Sequence, residues 1–250
     1  MRFSPQLREF SWLVERPIAH RGLHGKGIVE NTEGAFAAAI QHNYAIECDV
    51  QLTADGEAVV FHDDDLDRLA EAKGRVRALT AKALKGVPLK STIDRMQTLA
   101  ELLEQVDGRA TLVIELKSHW DDDDTLVKRV LQVLEGYDGA YCLMSFDPYL
   151  LACLRELSPE TVRGIVADRT TDPSYNALPL AKRYGMRMFE HLAQTQPHFV
   201  SYNWRELPFE PVTEIRALGH PVITWTVRSR EEASRALRYS DQVTFEGYLP

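Results

Sequence analysis

The stretch AIECDVQLTADGEAVVFHD, residues 45–63, decides how the chain is read. Its first eight residues form an apolar strand pattern that nevertheless carries Glu47 and Asp49. Side chains alternate along a strand, so these two carboxylates share one face and Cys48 points the other way. Carboxylates are rarely buried unless they are paired or hold a metal. Thr53-Ala54-Asp55-Gly56 then signals a turn, Asp-Gly being typical of a hairpin. EAVVFHD, residues 57–63, returns as an accessory strand that ends on His62 and Asp63. The expectation is a strand that delivers metal ligands to one rim, with a proton carrier beside them.

Outward from this stretch, strand-type runs alternate with helix-type periods. Strands are expected at 17–22, 45–52, 110–117, 140–146, 161–167, 198–204, 221–227 and 240–247. Between them lie helical patterns such as TEGAFAAAIQHN with Thr32 as cap, TLAELLEQVDG, DTLVKRVLQVLEG with Asp124 as cap, and PYLLACLREL with Pro148 in its first turn. A further helical period, ALPLAKRYGM, is expected to break near Gly185. Eight repeating strands with helical connections predict an α/β TIM (β/α)8 barrel, with a short hairpin and insertion after strand 2. The whole of 1–250 reads as one barrel domain. Residues 1–16 form an N-terminal arm or surface helix, and the charged, irregular stretch 64–97 is an inserted excursion.

Composition sets the outer limits. The chain has 250 residues, a length at which α/β barrels occur as single domains, with 44% hydrophobic and 26% charged residues. A net charge of -8 argues against nucleic acid as a partner, which needs a basic footprint, but leaves room for a small phosphate-bearing substrate. Three cysteines, Cys48, Cys142 and Cys153, match no zinc spacing and form no disulfide framework. No run approaches the length of a membrane span and the N-terminus lacks a signal-peptide core, so the expectation is a cytoplasmic protein without stable membrane anchoring. Self-association as a homo-oligomer is left open.

In a (β/α)8 barrel the working residues sit at the C-terminal ends of the strands. The polar interruptions fall at those ends: His20 and Arg21 on strand 1, Glu47 and Asp49 on strand 2, Glu115 and Lys117 on the 110–117 strand, with Ser145, Phe146 and Trp225 on later ones. Three converging carboxylates repel one another without a cation, and an all-oxygen donor set suits Mg2+ or Ca2+. The competing reading pairs them with Arg21 and Lys117 as salt bridges. His20 and His62 are natural proton carriers, and Arg21 and Lys117 can hold a phosphate. Phe146 and Trp225 serve either as barrel core or as pocket wall.

Taken together, IAHRG (18–22), ENT (30–32), ECDVQLTADGEAVVFHDDDLDR (47–68), IELK (114–117) and WTV (225–227) resemble the glycerophosphodiester phosphodiesterase family, over a correspondence running from Pro17 to Pro250. The resemblance implies a TIM-barrel hydrolase using one divalent cation, Mg2+ or Ca2+, to cleave glycerophosphodiesters into sn-glycerol 3-phosphate and an alcohol. It implies that Glu47, Asp49 and Glu115 ligate the metal, that His20 and His62 are general acid and base in an unassigned order, and that Arg21 and Lys117 contact the phosphate. Glu30 and Asn31 belong to the motif loop and shape the substrate pocket. Val29 stands where the family often has proline, and Arg228 follows WTV where asparagine is usual. Two alternatives remain: a related phosphodiesterase on lysophospholipids or sphingolipids, drawing on an apolar surface at Phe10, Trp12, Leu13 and Val14, and a non-catalytic barrel that binds phosphorylated ligands.

Overall fold

Alternating strand and helix periods produce the TIM (β/α)8 barrel that the sequence predicts. A computed structural model describes residues 10–171 and 173–250, so most of the expected N-terminal arm lies outside the described residues. Among the described residues the strands are β1 (Ile18–Ala19), β2 (Ala45–Leu52), β3 (Ala58–Val60), β4 (Leu112–Leu116), β5 (Tyr141–Ser145), β6 (Arg163–Ala167), β7 (Phe199–Asn203), β8 (Val222–Val227) and β9 (Gln242–Phe245). β3 is the hairpin return, antiparallel to β2. The chain divides into two compact units, one of residues 18–143 and one of residues 10–17 with 144–250.

In the 18–143 unit, β2 is the organising strand. It pairs in parallel with β1 through Ile18–Ala45 and Ala19–Ile46, and with β4 through Glu47–Val113 and Asp49–Glu115. β1 is two residues long, not the six expected, because Arg21 and Gly22 turn into the left-handed region at φ 55° and 77°. At Gly22 that turn also brings the backbone close to Ala35, where a Cβ would meet three atoms within 3.0 Å. The Asp-Gly turn forms with Gly56 at φ 76°, closed by the Thr53 amide donating to the Glu57 carbonyl at 2.9 Å. The helix Glu33–Gln41 starts where Thr32 Oγ1 accepts from the Ala35 amide. Leu99–Val106 starts on a full capping box between Thr98 and Glu101.

One expectation in this unit is corrected and another refined. Residues 64–97 are not merely an irregular excursion. Leu66, Ala70, Val76, Leu84, Leu89 and Met96 bury themselves against Val59 and Phe61 and give the insertion its own core. At about 1.5–3 kcal/mol for each fully buried large apolar side chain, that core holds the insertion firmly. Asp124 stands at the N-cap of the helix Thr125–Leu134, as expected, but its side chain makes no capping hydrogen bond and pairs with Lys128 one turn on, while Asp123 Oδ1 accepts from the Thr125 amide at 2.9 Å.

In the other unit β6, β7, β8 and β9 pair in parallel, in that order. The helix Pro148–Leu157 has Pro148 in its first turn, as expected, and Asp147 capping it. The helix Leu180–Arg187 runs through Gly185, and the break comes later, at Phe189 with φ 58°, before Leu192–Thr195. Phe10 and Leu13, expected on an exposed apolar surface, are buried, which removes half of the surface that a lipid-substrate reading draws on. No helix among the described residues is long and apolar enough to cross a membrane.

Candidate active site at the β1, β2 and β4 ends

Strand register builds this site. Asp49 stands opposite Glu115 across the β2–β4 pair, and Glu47 lies two residues earlier on the same face of β2. One carboxylate oxygen from each of Glu47, Asp49 and Glu115 falls within 4.8 Å of the others, and all three residues are buried. Crowding shows in their acidities. Burial, then the charges of Asp49 and Glu115, push the Glu47 carboxyl well above the usual carboxylate range. Burial acts the same way on Asp49, but Lys117, His62, Arg21 and a hydrogen bond from Asn31 outweigh it and hold Asp49 ionised. An all-oxygen, dehydrated donor set of which one member resists ionisation by itself fits a hard divalent cation.

The cations expected beside these acids are there. Lys117 Nζ lies 2.9 Å from Glu115 and 3.4 Å from Asp49. Burial alone would lower the Lys117 pKa, but Glu115 and Asp49 raise it, so the ammonium stays charged. Arg21 Nε lies 3.5 Å from Asp49 Oδ2, is buried, and has no hydrogen-bond partner. The Arg21 backbone amide donates to Glu47 Oε2 at 2.8 Å, and its Nη1 donates to Glu30 Oε1 at 2.6 Å.

Glu30 and Asn31 act on the protein's own charged groups. Asn31 Nδ2 donates to Asp49 Oδ2 at 2.9 Å, and the Asn31 amide donates to the Arg21 carbonyl, also at 2.9 Å. Both Arg21 and Asn31 sit at φ 55°, a conformation that asparagine tolerates better than most residues, so the loop between them is closed at a matched pair of left-handed turns.

Past the Ala19–Ile46 pair, His20 comes level with Glu47, and its Nε2 lies 3.9 Å from Glu47 Oε2. His62, just after β3, has Nδ1 2.7 Å from Asp63 Oδ1. A carboxylate at Nδ1 fixes the tautomer that carries its proton there and leaves Nε2 for other work. His119, just past β4, is half-buried with Nδ1 3.7 Å from Asp64.

Asp63, which closes the return strand with His62 in the sequence, and two residues not singled out there, Gln51 and Arg68, complete the site. Asp63 is the partner of His62. Gln51 is fully buried, and its Nε2 donates to the carbonyls of Phe61 and Asp63 at 2.8 Å each, bracketing His62. Gln51 continues the i, i+2 series of Glu47 and Asp49, and that spacing was the signal for it. Arg68, from the insertion, donates to both Glu30 and Asp63. Arg68 and Arg21 hold Glu30 down at about 2 against the effect of burial, and Arg68 and His62 do the same for Asp63, also at about 2. Phe146 and Trp225 belong to the other unit, where their rings meet edge to face at 5.5 Å and the Trp225 indole donates to the Ser201 carbonyl.

Chemically, the cluster can hold a divalent cation, offer a guanidinium and an ammonium to an anion, and move protons through two imidazoles.

Residues 20–241 match the profile of the Glycerophosphoryl diester phosphodiesterase family. YhdW of Bacillus subtilis is 30% identical over 227 residues, spanning 87% of this chain and 88% of its own. The glycerophosphodiester phosphodiesterase of Caldanaerobacter subterraneus subsp. tengcongensis is 28% identical over 234 residues, spanning 88% and 89%. A phosphodiesterase of Oleispira antarctica, solved in complex with the product sn-glycerol 3-phosphate, shares the fold with a TM-score of 0.79 at 24% identity, over 94% of each chain.

Proposed function

The chain belongs to the glycerophosphoryl diester phosphodiesterase family, and from that premise we propose a cation-dependent hydrolysis of glycerophosphodiesters to sn-glycerol 3-phosphate and an alcohol, with His20 and His62 carrying the protons. The observation that carries this reading is the buried meeting of Glu47, Asp49 and Glu115 within 4.8 Å on neighbouring strands.

In this scheme Glu47, Asp49 and Glu115 would hold Mg2+ or Ca2+, and Asn31, donating to Asp49 Oδ2, would hold that carboxylate in place. When bound, the cation supplies positive charge beside the phosphate, where negative charge grows on the non-bridging oxygens. Arg21 offers its guanidinium, whose Nε makes no hydrogen bond, to a phosphate oxygen, and Lys117 adds a second fixed charge. One imidazole removes the proton of the attacking hydroxyl as its oxygen bonds to phosphorus. The other gives a proton to the oxygen whose bond to phosphorus breaks, so the departing alkoxide leaves as an alcohol. Asp63, bonded to His62 Nδ1, leaves Nε2 as the atom through which His62 does this. The attacking hydroxyl is that of water or of the substrate's own glycerol. The second route passes through a cyclic phosphate that water then opens.

The test is a panel of glycerophosphodiesters assayed by coupled detection of glycerol 3-phosphate, with and without EDTA. The expected result is release that stops on chelation and returns with Mg2+ or Ca2+. Undiminished release by chelated protein, or none from any member of the panel, overturns the reading.

A further inference from the structure

One guanidinium touches both halves of the site described above. Arg68 Nη2 donates to Asp63 Oδ1 at 2.9 Å and to Glu30 Oε1 at 2.7 Å. Each of these oxygens is shared: Asp63 Oδ1 also meets His62 Nδ1 at 2.7 Å, and Glu30 Oε1 also accepts from Arg21 Nη1 at 2.6 Å. The remaining Arg68 donors complete two forks, Nε to Asp63 Oδ2 at 2.6 Å and Nη1 to Glu30 Oε2 at 2.9 Å. The result is an unbroken chain of contacts from imidazole through carboxylate, guanidinium and carboxylate to guanidinium, His62–Asp63–Arg68–Glu30–Arg21.

We propose that Arg68 is the positioning residue of this enzyme, setting the imidazole that moves a proton and the guanidinium that binds the phosphate to one another. The proposal rests on the reading of His62 and Arg21 given above. Two bidentate carboxylate contacts from one side chain need the planar fork of arginine, and a lysine ammonium is a single point that cannot make both. The geometry separates this role from a scaffolding one. Leu66 and Ala70, on either side of Arg68, are buried in the insertion's own core, while the Arg68 side chain is 47% exposed. The insertion is therefore held by its apolar residues, and the Arg68 side chain is spent on Glu30 and Asp63.

The two arms of the chain give different kinetic signatures. Asp63→Asn releases His62 and should lower kcat with little change in KM. Glu30→Gln releases Arg21 and should raise KM. Arg68→Ala should do both, lowering kcat/KM by about ten- to a hundredfold, the usual loss when the partner that orients a site residue is removed. Arg68→Lys should recover little of this. Guanidinium chloride, but not sodium chloride at the same concentration, should restore part of the activity of Arg68→Ala, while the melting temperature stays within a few degrees of wild type.

Two readouts do not depend on turnover. The Nδ1–H proton resonance of His62, assigned by its disappearance in His62→Gln, should weaken in Arg68→Ala and return with guanidinium. Inorganic phosphate, titrated calorimetrically, should bind Arg68→Ala several-fold more weakly. If wild-type protein hydrolyses no glycerophosphodiester, the functional reading falls while these two measurements still decide the placement of His62 and Arg21. An Arg68→Ala protein with wild-type kinetics, ring signal and phosphate affinity overturns the proposal. So does a loss that lysine repairs as well as arginine, or that guanidinium leaves untouched.

Discussion

Removing the divalent cation should change how stability depends on pH, and the size of the change follows from Glu47. Glu47 is 1% exposed, and burial, then the charges of Asp49 and Glu115, lift its carboxyl pKa well above the ordinary value of 4.5. A group whose pKa is higher in the fold than in the unfolded chain favours the fold while it is protonated. That contribution is complete below pH 4.5 and fades as pH rises toward the folded value. Chelated protein should therefore lose stability through this group as the buffer moves from acid toward neutral, by at most about 1.4 kcal/mol per pH unit. A cation takes the place of the proton. At a hundred times its Kd it adds about 2.7 kcal/mol, or roughly 5–10 °C of melting temperature at the 2–4 °C per kcal/mol typical of a chain this long. Because the ion displaces a proton, its apparent affinity should rise by up to about tenfold per pH unit while Glu47 remains protonated. Thermal melts at several pH values, in EDTA and in saturating Mg2+ or Ca2+, measure both effects. Glu47→Gln, a neutral isostere, should flatten this part of the pH dependence of the chelated protein and abolish the response to the ion. Equal melting temperatures with and without ion at every pH, or a Glu47→Gln protein that still gains several degrees from it, would refute the reasoning.

The other predictions concern catalysis, packing and acid. His20→Ala and His62→Ala should each lose kcat by about a hundredfold or more; steady-state rates on the best diester check this, and the variant lacking the general acid should regain activity on a diester whose leaving group departs unprotonated, such as a nitrophenol. Gly164→Ala drives a Cβ into the fully buried ring of Phe199 and should cost about 1–3 kcal/mol in urea unfolding, with the site's kinetics unchanged in the folded fraction. His191 and His198 are held neutral at about 4, both chiefly by burial and His198 also by Arg163, against an ordinary value of 6.5. The unfolded chain takes up protons there first, so stability of the ion-saturated protein should fall between pH 6.5 and about 4, at up to about 1.4 kcal/mol per pH unit for each ring. Urea titrations across that range should show a shallower slope in a His191→Gln, His198→Gln double variant.

Which parts of this were legible in the sequence follows from the distance over which each signal acts. Glu47 and Asp49 stood out because acids at i and i+2 in an apolar run have few explanations, and the Asp-Gly turn and the Thr32 cap are local. The meeting of Asp49 with Glu115 depends on the register of β2 against β4, which no local pattern states. Arg68 lies 38 residues from Glu30, at the end of the family-like run 47–68 and inside the stretch read as an inserted excursion, and no local pattern links the two. The insertion's core was hidden because Leu66, Ala70, Val76, Leu84, Leu89 and Met96 follow neither a helical nor a strand period. Gly185 drew the expected helix break to itself because glycine is the usual breaker. The chain breaks at Phe189, a bulky residue at positive φ that propensity alone does not place there.

The salt-bridge reading and the metal reading of the acidic cluster are often opposed, but the charges here accommodate both. Five carboxylates, from Glu30, Glu47, Asp49, Asp63 and Glu115, share the site with three permanent cations, from Arg21, Arg68 and Lys117. Arg68 is committed to Glu30 and Asp63, which leaves Arg21 and Lys117 facing the three buried acids. Those two keep Asp49 ionised, yet Glu47 still resists losing its proton. The local cations are thus enough to hold the geometry and insufficient to discharge it. If Arg21 and Lys117 fully neutralised the acids, they would have nothing left for a phosphate, and a bound phosphodiester would add a further negative charge to the rim. On the proposed reading, a divalent ion on the carboxylates would answer the excess of the three buried acids over these two cations and leave the Arg21 guanidinium and the Lys117 ammonium for substrate. On that reading, anion binding and cation binding at this rim would be one coupled event, each more favourable in the presence of the other.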